Sequence, residues 1–273
     1  MTDRSSIKLE ILNLLHNKHL RITPLNLEKE IRCKLPGTRR GLFREVVQNL
    51  CSQGKLIYTQ HFSTTHLEIN YNQPFKVSDN IIITPSRFNG NIDTNCVVIK
   101  LDDGYTFGLG DHPTTRMILQ GMDYILGPNR TKTKSRVQNA LDVGTGTGVL
   151  AIAAAALGVD RVSAIDIDAT ACTLARKNCG LNGFKNRIHV SQKTIDQFSD
   201  HQFDLLMVNL RPPTIRQLIP KMLAISSHRA KWIISGCRVA ERARIEKFLP
   251  HEISELIWQQ EQHGWAAFGV KRK

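Results

Sequence analysis

Ala140-Leu141-Asp142-Val143-Gly144-Thr145-Gly146-Thr147-Gly148-Val149-Leu150, joined through one helix length to Ala164-Ile165-Asp166-Ile167-Asp168, decides the fold of this chain. The pattern reads as a buried strand, a glycine turn, a helix and a second strand ending in a carboxylate, the arrangement that holds a nucleoside cofactor. Val143 ends the first apolar run, and Gly144, Gly146 and Gly148 let the backbone turn tightly and lie close to a ligand. A helix starting near Thr147 aims unpaired N–H groups at whatever negative group sits there. Asp166 lies 22 residues beyond Gly144, where a carboxylate accepts hydrogen bonds from ribose hydroxyls.

Spacing separates two cofactors. A dinucleotide fingerprint, G-x-G-x-x-G, would place its third glycine at position 149, which is Val149. The run here is D-x-G-x-G-x-G with Asp142 at its head, and it resembles the first motif of methyltransferases that use S-adenosyl-L-methionine. That cofactor carries no phosphate, so the resemblance implies that the turn and helix start face its methionine carboxylate. A glycine turn without any cofactor is the plainer alternative, and the position of Asp166 argues against it.

The 273 residues exceed one average domain, so one large or two unequal domains are expected. Hydrophobic residues at 41% with 22% charged fit a soluble globular protein. The net charge is +13: positions 1–76 hold 12 Lys or Arg against 6 Asp or Glu, and the remainder 25 against 18, so the excess reads as spread along the chain. A basic surface points to nucleic acid, a ribonucleoprotein or an acidic partner without choosing among them. The six cysteines form no C-x-x-C pair, which predicts reduced, mostly buried thiols and argues against a zinc site. No apolar signal core opens the chain, and the longest apolar run, Val149 to Leu157, is too short to span a bilayer, so a cytoplasmic location and no membrane partner are expected.

Ile7, Leu9, Ile11, Leu12, Leu14 and Leu15 predict a first helix, capped by Ser5 or Ser6. Leu27, Ile31 and Leu35 mark a second after Thr23-Pro24, and Leu42, Val46, Val47 and Leu50 a third, capped by Thr38 and ended by Gly54. Lys55 to His61 and His66 to Tyr71 then read as a hairpin. Three helices and a hairpin resemble a winged helix-turn-helix domain, here residues 1–73. In such domains the third helix reads nucleic acid, and Arg39, Arg40 and Arg44 at its start would contact phosphates. A protein-binding or dimerisation module with a solvated basic face is the alternative.

From about Pro74 the chain alternates strand, turn and helix, so residues 74–273 form an α/β domain. Phe107-Gly108-Leu109-Gly110-Asp111-His112-Pro113-Thr114-Thr115-Arg116 is a glycine loop running into a helix. This run resembles the signature of PrmA-type ribosomal protein methyltransferases, and the likeness continues through Ile81 to Arg87, Phe203 to Leu210, Ile233 to Gly236 and Gly264 to Val270. The resemblance implies a Rossmann-like class I methyltransferase domain with a seven-stranded sheet in the order 3-2-1-4-5-7-6. It further implies S-adenosyl-L-methionine as cofactor and a protein amine, lysine or terminal, as acceptor, with a ribosomal or ribonucleoprotein substrate. Residue by residue, Thr115 would contact the methionyl part, Phe107 would shield it, Asp142, Gly144 and Gly146 would belong to the cofactor loop, Asp166 would take the ribose, and Asn209 would stand beside the transferring methyl. Independently, Phe203 to Leu210 is an apolar strand whose C-terminal end is where an open parallel sheet places its ligand.

Two departures from that family stand out. Its members with the familiar ribosomal substrate carry a ferredoxin-like N-terminal domain, which this chain replaces. Asn209-Leu210-Arg211-Pro212-Pro213 also stands where small aliphatic residues usually follow the asparagine, so Arg211 would alter the acceptor entrance. Asn209 as a mere turn residue, His112 as a loop brace, and Thr194 as either adenine neighbour or surface turn stay open. An RNA or DNA methyltransferase and a cofactor-sensing DNA-binding regulator are the rival functions.

Overall fold

The computed structural model describes residues 3–18, 22–61, 63–70, 72–102, 112–127, 137–199, 202–253 and 255–273. Phe107, most of the glycine loop before His112, and the basic stretch from Arg130 to Arg136 lie outside the described residues. The chain divides into two compact units, Met1–Gln73 and Pro74–Lys273.

The first unit contains α1 (Arg4–Lys18), α2 (Pro24–Lys34), α3 (Arg40–Ser52), β1 (Leu56–His61) and β2 (Thr64–Ile69). Ile7, Ile11, Leu14, Leu27, Ile31 and Leu50 meet in one core, sealed from the strand side by Leu56 and Leu67. β1 and β2 pair antiparallel from Leu56↔Ile69 to His61↔Thr64, and Ile22 bridges Leu67 beside them. Two expected caps are replaced. Asp3, not Ser5 or Ser6, caps α1 by accepting the Ser6 N–H at 2.6 Å. Thr38 is buried and donates its hydroxyl to the Leu35 carbonyl at 2.8 Å, so α3 opens at Arg39 without a side-chain cap. Thr23 does cap α2, accepting the Asn26 N–H at 3.3 Å with Pro24 in the first turn, where its missing N–H costs nothing.

The second unit opens with β3 (Phe75–Lys76), β4 (Ile81–Pro85) and β5 (Val97–Leu101), a small sheet in which β4 and β5 run parallel. It continues through α4 (Pro113–Leu126), β6 (Asn139–Val143), α5 (Val149–Ala156), β7 (Arg161–Asp166), α6 (Ala169–Leu181) and β8 (Ile188–Gln192). β9 (Phe203–Asn209), α7 (Pro212–Ala224), β10 (Ser226–Arg238), α8 (Val239–Glu246), β11 (Glu255–Gln262) and β12 (Trp265–Lys271) complete it. The main sheet runs β11-β12-β10-β9-β6-β7-β8. Counted from β6, that is the expected order 3-2-1-4-5-7-6, with β12 antiparallel to both neighbours.

One face of the sheet is covered by α4, α5 and α6, the other by α7 and α8. α5 reads Val-Leu-Ala-Ile-Ala-Ala-Ala-Ala and is buried over nearly its whole length, as an all-apolar helix inside a layered domain must be. β10 is the longest strand among the described residues, beginning at Ser226, well before the apolar run that opens at Trp232. The extra β10 residues pair through a register break between Ser226 and Lys231, which no alternation in the sequence marks. Burial of the thiols is also narrower than expected. All six cysteines are free, but only Cys172, Cys179 and Cys237 are buried.

Candidate active site

β6 lies between β7 and β9, so the strand order reverses at its carboxyl end, the position where open α/β sheets bind ligands. A cleft of about 650 Å³ opens there, lined by Gly144, Gly146, Asp166, Ile167, Thr115 and Asn209 among others. That volume falls within the range of about 300–1,000 Å³ for small-molecule sites.

The glycine loop takes φ of +76° at Gly144, +55° at Gly146 and +81° at Gly148, which L side chains disfavour. Gly144 and Thr145 donate their N–H groups to the Ile165 carbonyl, both at 2.9 Å, which pins the loop to the end of β7. A Cβ on Gly144 would meet Leu210 Cδ2 at 2.7 Å. Glycine therefore serves both the turn and the approach of the next strand end.

Asp142 corrects one expectation. Its side chain is fully buried beneath the loop and does not line the cleft. Oδ2 accepts from the Thr145 hydroxyl at 2.6 Å and the Ala151 N–H at 3.2 Å, tying loop to helix. Oδ1 has no hydrogen-bond partner. Burial, followed in effect by the opposing Thr145 and Ala151 bonds and then the nearby Asp166 charge, leaves its carboxyl raised from 3.8 to about 7. Asp142 is a positioning residue for the loop rather than a ligand contact.

Asp166 does face the cleft. Its Oδ2 accepts the Gly146 N–H at 3.0 Å and its Oδ1 the Asp168 N–H at 3.0 Å, so two backbone donors fix the carboxylate while lone pairs remain for a ligand diol. Ile167, next in line, is 76% exposed and forms an apolar wall of the same cleft. Across from it, Thr194, Ile195 and Asp196 line the β8 side, with Thr194 holding a short 3₁₀ turn through a reciprocal bond with Gln197.

At the other end, Asn209 Nδ2 donates to Thr115 Oγ1 at 3.2 Å. This bond joins β9 to the start of α4 across 94 positions of sequence, and among the described residues no donor reaches the Asn209 Oδ1 in the cleft lining. His112 caps α4, its Nδ1 accepting the Thr114 N–H at 3.3 Å, and its ring packs edge-on to Trp265 at 5.2 Å between centroids. It braces the helix that carries Thr115.

The residue that the pattern did not expose is Gly236. It sits in β10 at φ +93°, and a Cβ there would lie 2.1 Å from the Leu210 carbonyl oxygen. The chain leaving Asn209 thus crosses directly over Gly236. A lone glycine closing the apolar run Trp232 to Ser235 was the available signal.

The predicted basic residues belong to both units. Arg211 is exposed at the N-cap of α7, outside the cleft lining. In the first unit, Arg39 and Arg44 are exposed, while Arg40 pairs with Glu28 at 3.4 Å, so its charge is already met.

A family model described as ribosomal protein L11 methyltransferase (PrmA) matches residues 60–273. The chain belongs to that family. Two PrmA relatives, both named ribosomal protein L11 methyltransferase, come from Trichlorobacter lovleyi and Symbiobacterium thermophilum. The first is 35% identical over 170 residues, covering 62% of this chain and 54% of that protein. The second is 30% identical over 197 residues, covering 72% and 62%. The chain therefore spans less than two thirds of the length of these relatives. A crystal structure of ribosomal protein L11 methylase from Lactobacillus delbrueckii subsp. bulgaricus superposes with a TM-score of 0.65 at 27% identity, covering 74% of this chain and 99% of that one. The second unit has the class I methyltransferase fold of the PrmA family. Among the described residues, no helix is long and apolar enough to cross a membrane.

Proposed function

We propose that this chain is an S-adenosyl-L-methionine-dependent methyltransferase that methylates an amine, lysine or terminal, of a protein. The observation that carries this reading is the Asn209–Thr115 hydrogen bond at the head of a glycine-floored cleft. The cleft fits the cofactor at three points. Gly144 and Gly146 line it with backbone that carries no side chain, Asp166 offers acceptor lone pairs to a ribose, and Ile167 offers an apolar surface to a flat base.

When bound, S-adenosyl-L-methionine supplies a methyl group activated by the positive sulfur that carries it. The protein's task is then alignment and exclusion of water. Asn209, its amide held by Thr115, presents Oδ1 to the acceptor amine and orients the nitrogen lone pair by accepting an amine N–H. An amine with a reference pKa of about 10 must lose a proton before attack. Among the described residues the carboxylates lining the cleft, Asp166, Asp168 and Asp196, belong to the β7 and β8 side, and we assign the amine proton to water. Residues 1–73 act as a winged-helix-like module that selects the partner, and Arg211 flanks the acceptor entrance. The names of the relatives point to a ribosomal protein as acceptor, and a reaction on such a protein belongs in the cytoplasm.

The test supplies the purified protein with methyl-labelled cofactor and offers cell protein and cell nucleic acid separately. Label in protein, lost in Asn209→Ala, is expected. Label only in nucleic acid would overturn the assignment.

A further inference from the structure

A large part of the net positive charge of the second unit lies on one segment, in addition to the separate basic run Arg130 to Arg136. Residues 211–248, from the start of α7 to just past α8, carry nine Lys or Arg against two Glu, or +7. The rest of 74–273 carries 17 against 16. Much of the excess of this unit therefore sits on that segment, whose two helices pack side by side on one face of the sheet.

Most of those cations are uncommitted. Lys221 pairs with Asp196 and Arg242 with Glu246. Arg211, Arg216, Arg238, Arg244 and Lys247 are exposed and form no ion pair among the described residues. Two of them lie on aromatic rings: the Arg216 guanidinium is 4.3 Å from the Phe248 centroid and Arg238 is 3.9 Å from that of Trp265. Phe248 stays 44% exposed. A guanidinium stacked on a ring keeps its N–H edge outward for bidentate contact with phosphate, and flat aromatic surfaces beside such groups take up bases. An acidic protein surface would answer the charge but would give the exposed ring of Phe248 nothing to stack on.

We infer that the α7–α8 face is an RNA-binding surface, which holds the nucleic acid of a ribonucleoprotein while its protein component enters the cleft. This rests on the proposed protein acceptor, since Arg211 stands two residues from Asn209 and so ties the surface to the acceptor end. The first unit is also basic, so the assignment must be tested on the full chain with variants confined to this face.

Fluorescence anisotropy with a labelled 20-nucleotide single-stranded RNA, across a salt series, reads the surface directly. The variant R216Q/R244Q/K247Q removes three phosphate contacts and should flatten the slope of log affinity against log salt by about 2, at about 0.7 per contact for single strands. R39Q/R44Q in the first unit should leave the slope nearly unchanged. Absence of RNA binding, an unchanged slope in the triple variant, tighter binding of the matching DNA, or equal displacement by polyglutamate would each overturn the inference. Methyl transfer to isolated protein and cofactor affinity should be untouched in the triple variant. Those two measurements separate failure of this surface from failure of the methyltransferase reading.

Discussion

Replacing Gly236 by alanine should damage both stability and the acceptor end of the cleft, by amounts that the geometry separates. At φ +93° any side chain is strained, at about 1–3 kcal/mol. The added Cβ would also stand 2.1 Å from the Leu210 carbonyl oxygen, 2.7 Å from its carbon and 2.8 Å from its nitrogen. Carbon–oxygen contacts sit at about 3.3 Å or more, so the Leu210 backbone must retreat by more than about 1 Å. Overpacking of that kind costs roughly 1–3 kcal/mol. The sum is about 4 kcal/mol, or roughly 8–16 °C in Tm for a unit of this size. Gly158→Ala is the matched control: its φ is +101° and nothing lies within 4 Å of the added Cβ. It should lose only the strain, about 2 kcal/mol. Differential scanning calorimetry gives both values. Because Asn209 precedes Leu210, a displacement of 1 Å should also lower methyl transfer by about 10²-fold in Gly236→Ala, with Gly158→Ala near wild type. Equal melting of the two variants, or full activity in Gly236→Ala, would refute the crossover as the reason for this glycine.

Three further outcomes are expected. Thr115→Val and Asn209→Ala should be non-additive in methyl-transfer rate by about 0.5–1.5 kcal/mol, the worth of one hydrogen bond; strict additivity in a double-mutant cycle would show that the bond does not act. Asp142 binds its proton more tightly folded than unfolded, being raised from 3.8 to about 7. Its contribution therefore falls as pH rises from about 4 to about 7 and then levels, on the order of 4 kcal/mol in all. Asp142→Asn keeps an acceptor for Thr145 and Ala151 and should remove that slope in denaturant titrations, whereas a wild-type profile in the variant would sink this account. Burial pushes the Cys179 thiol up to about 12 and Cys237 to about 11, so alkylation at pH 8 should mark exposed Cys33 first and reach these two only on unfolding. Early modification of Cys179, read by mass spectrometry, would contradict its placement.

The sheet was legible because its strands are continuous apolar runs and its ligand end is punctuated by glycine. Gly144, Gly146 and Asp166 are local in sequence, and their spacing alone brings them to one edge. Asn209 and Thr115 are 94 positions apart, and only the family likeness put both at the methyl end. Asp142 was misread because a motif letter does not tell which side of a loop a side chain takes; burial turned it inward, onto the Thr145 hydroxyl and Ala151 N–H. Thr38 fails as a cap for a similar reason. Its hydroxyl has a competing acceptor in the Leu35 carbonyl three residues back, and local bonds of this sort are invisible to a pattern of residue types. Gly236 escaped notice because its constraint comes from a crossing chain rather than from its own strand.

That crossing chain links the two ends of the site. Leu210 is the nearest neighbour of a Cβ placed on Gly144 and of one placed on Gly236, so one glycine in the loop after β6 and one in β10 leave room for the same residue. Asn209 is thereby held by three elements: Leu210 between the glycines, Thr115 from α4, and its own strand in register with Ser235 of β10. Immediately afterwards Pro212 and Pro213 fix the backbone φ at the first turn of α7. Arg211 sits between these two constraints, exposed and without a side-chain cap bond. A change of its side chain leaves the backbone on either side where it is. Asn209, which in the proposed reaction holds the acceptor amine, is therefore separated from the variable side chain of Arg211 by the anchored Leu210. On the proposed function, Arg211→Ala should therefore alter the choice of acceptor while leaving cofactor affinity unchanged, and a loss of cofactor affinity in that variant would refute the separation.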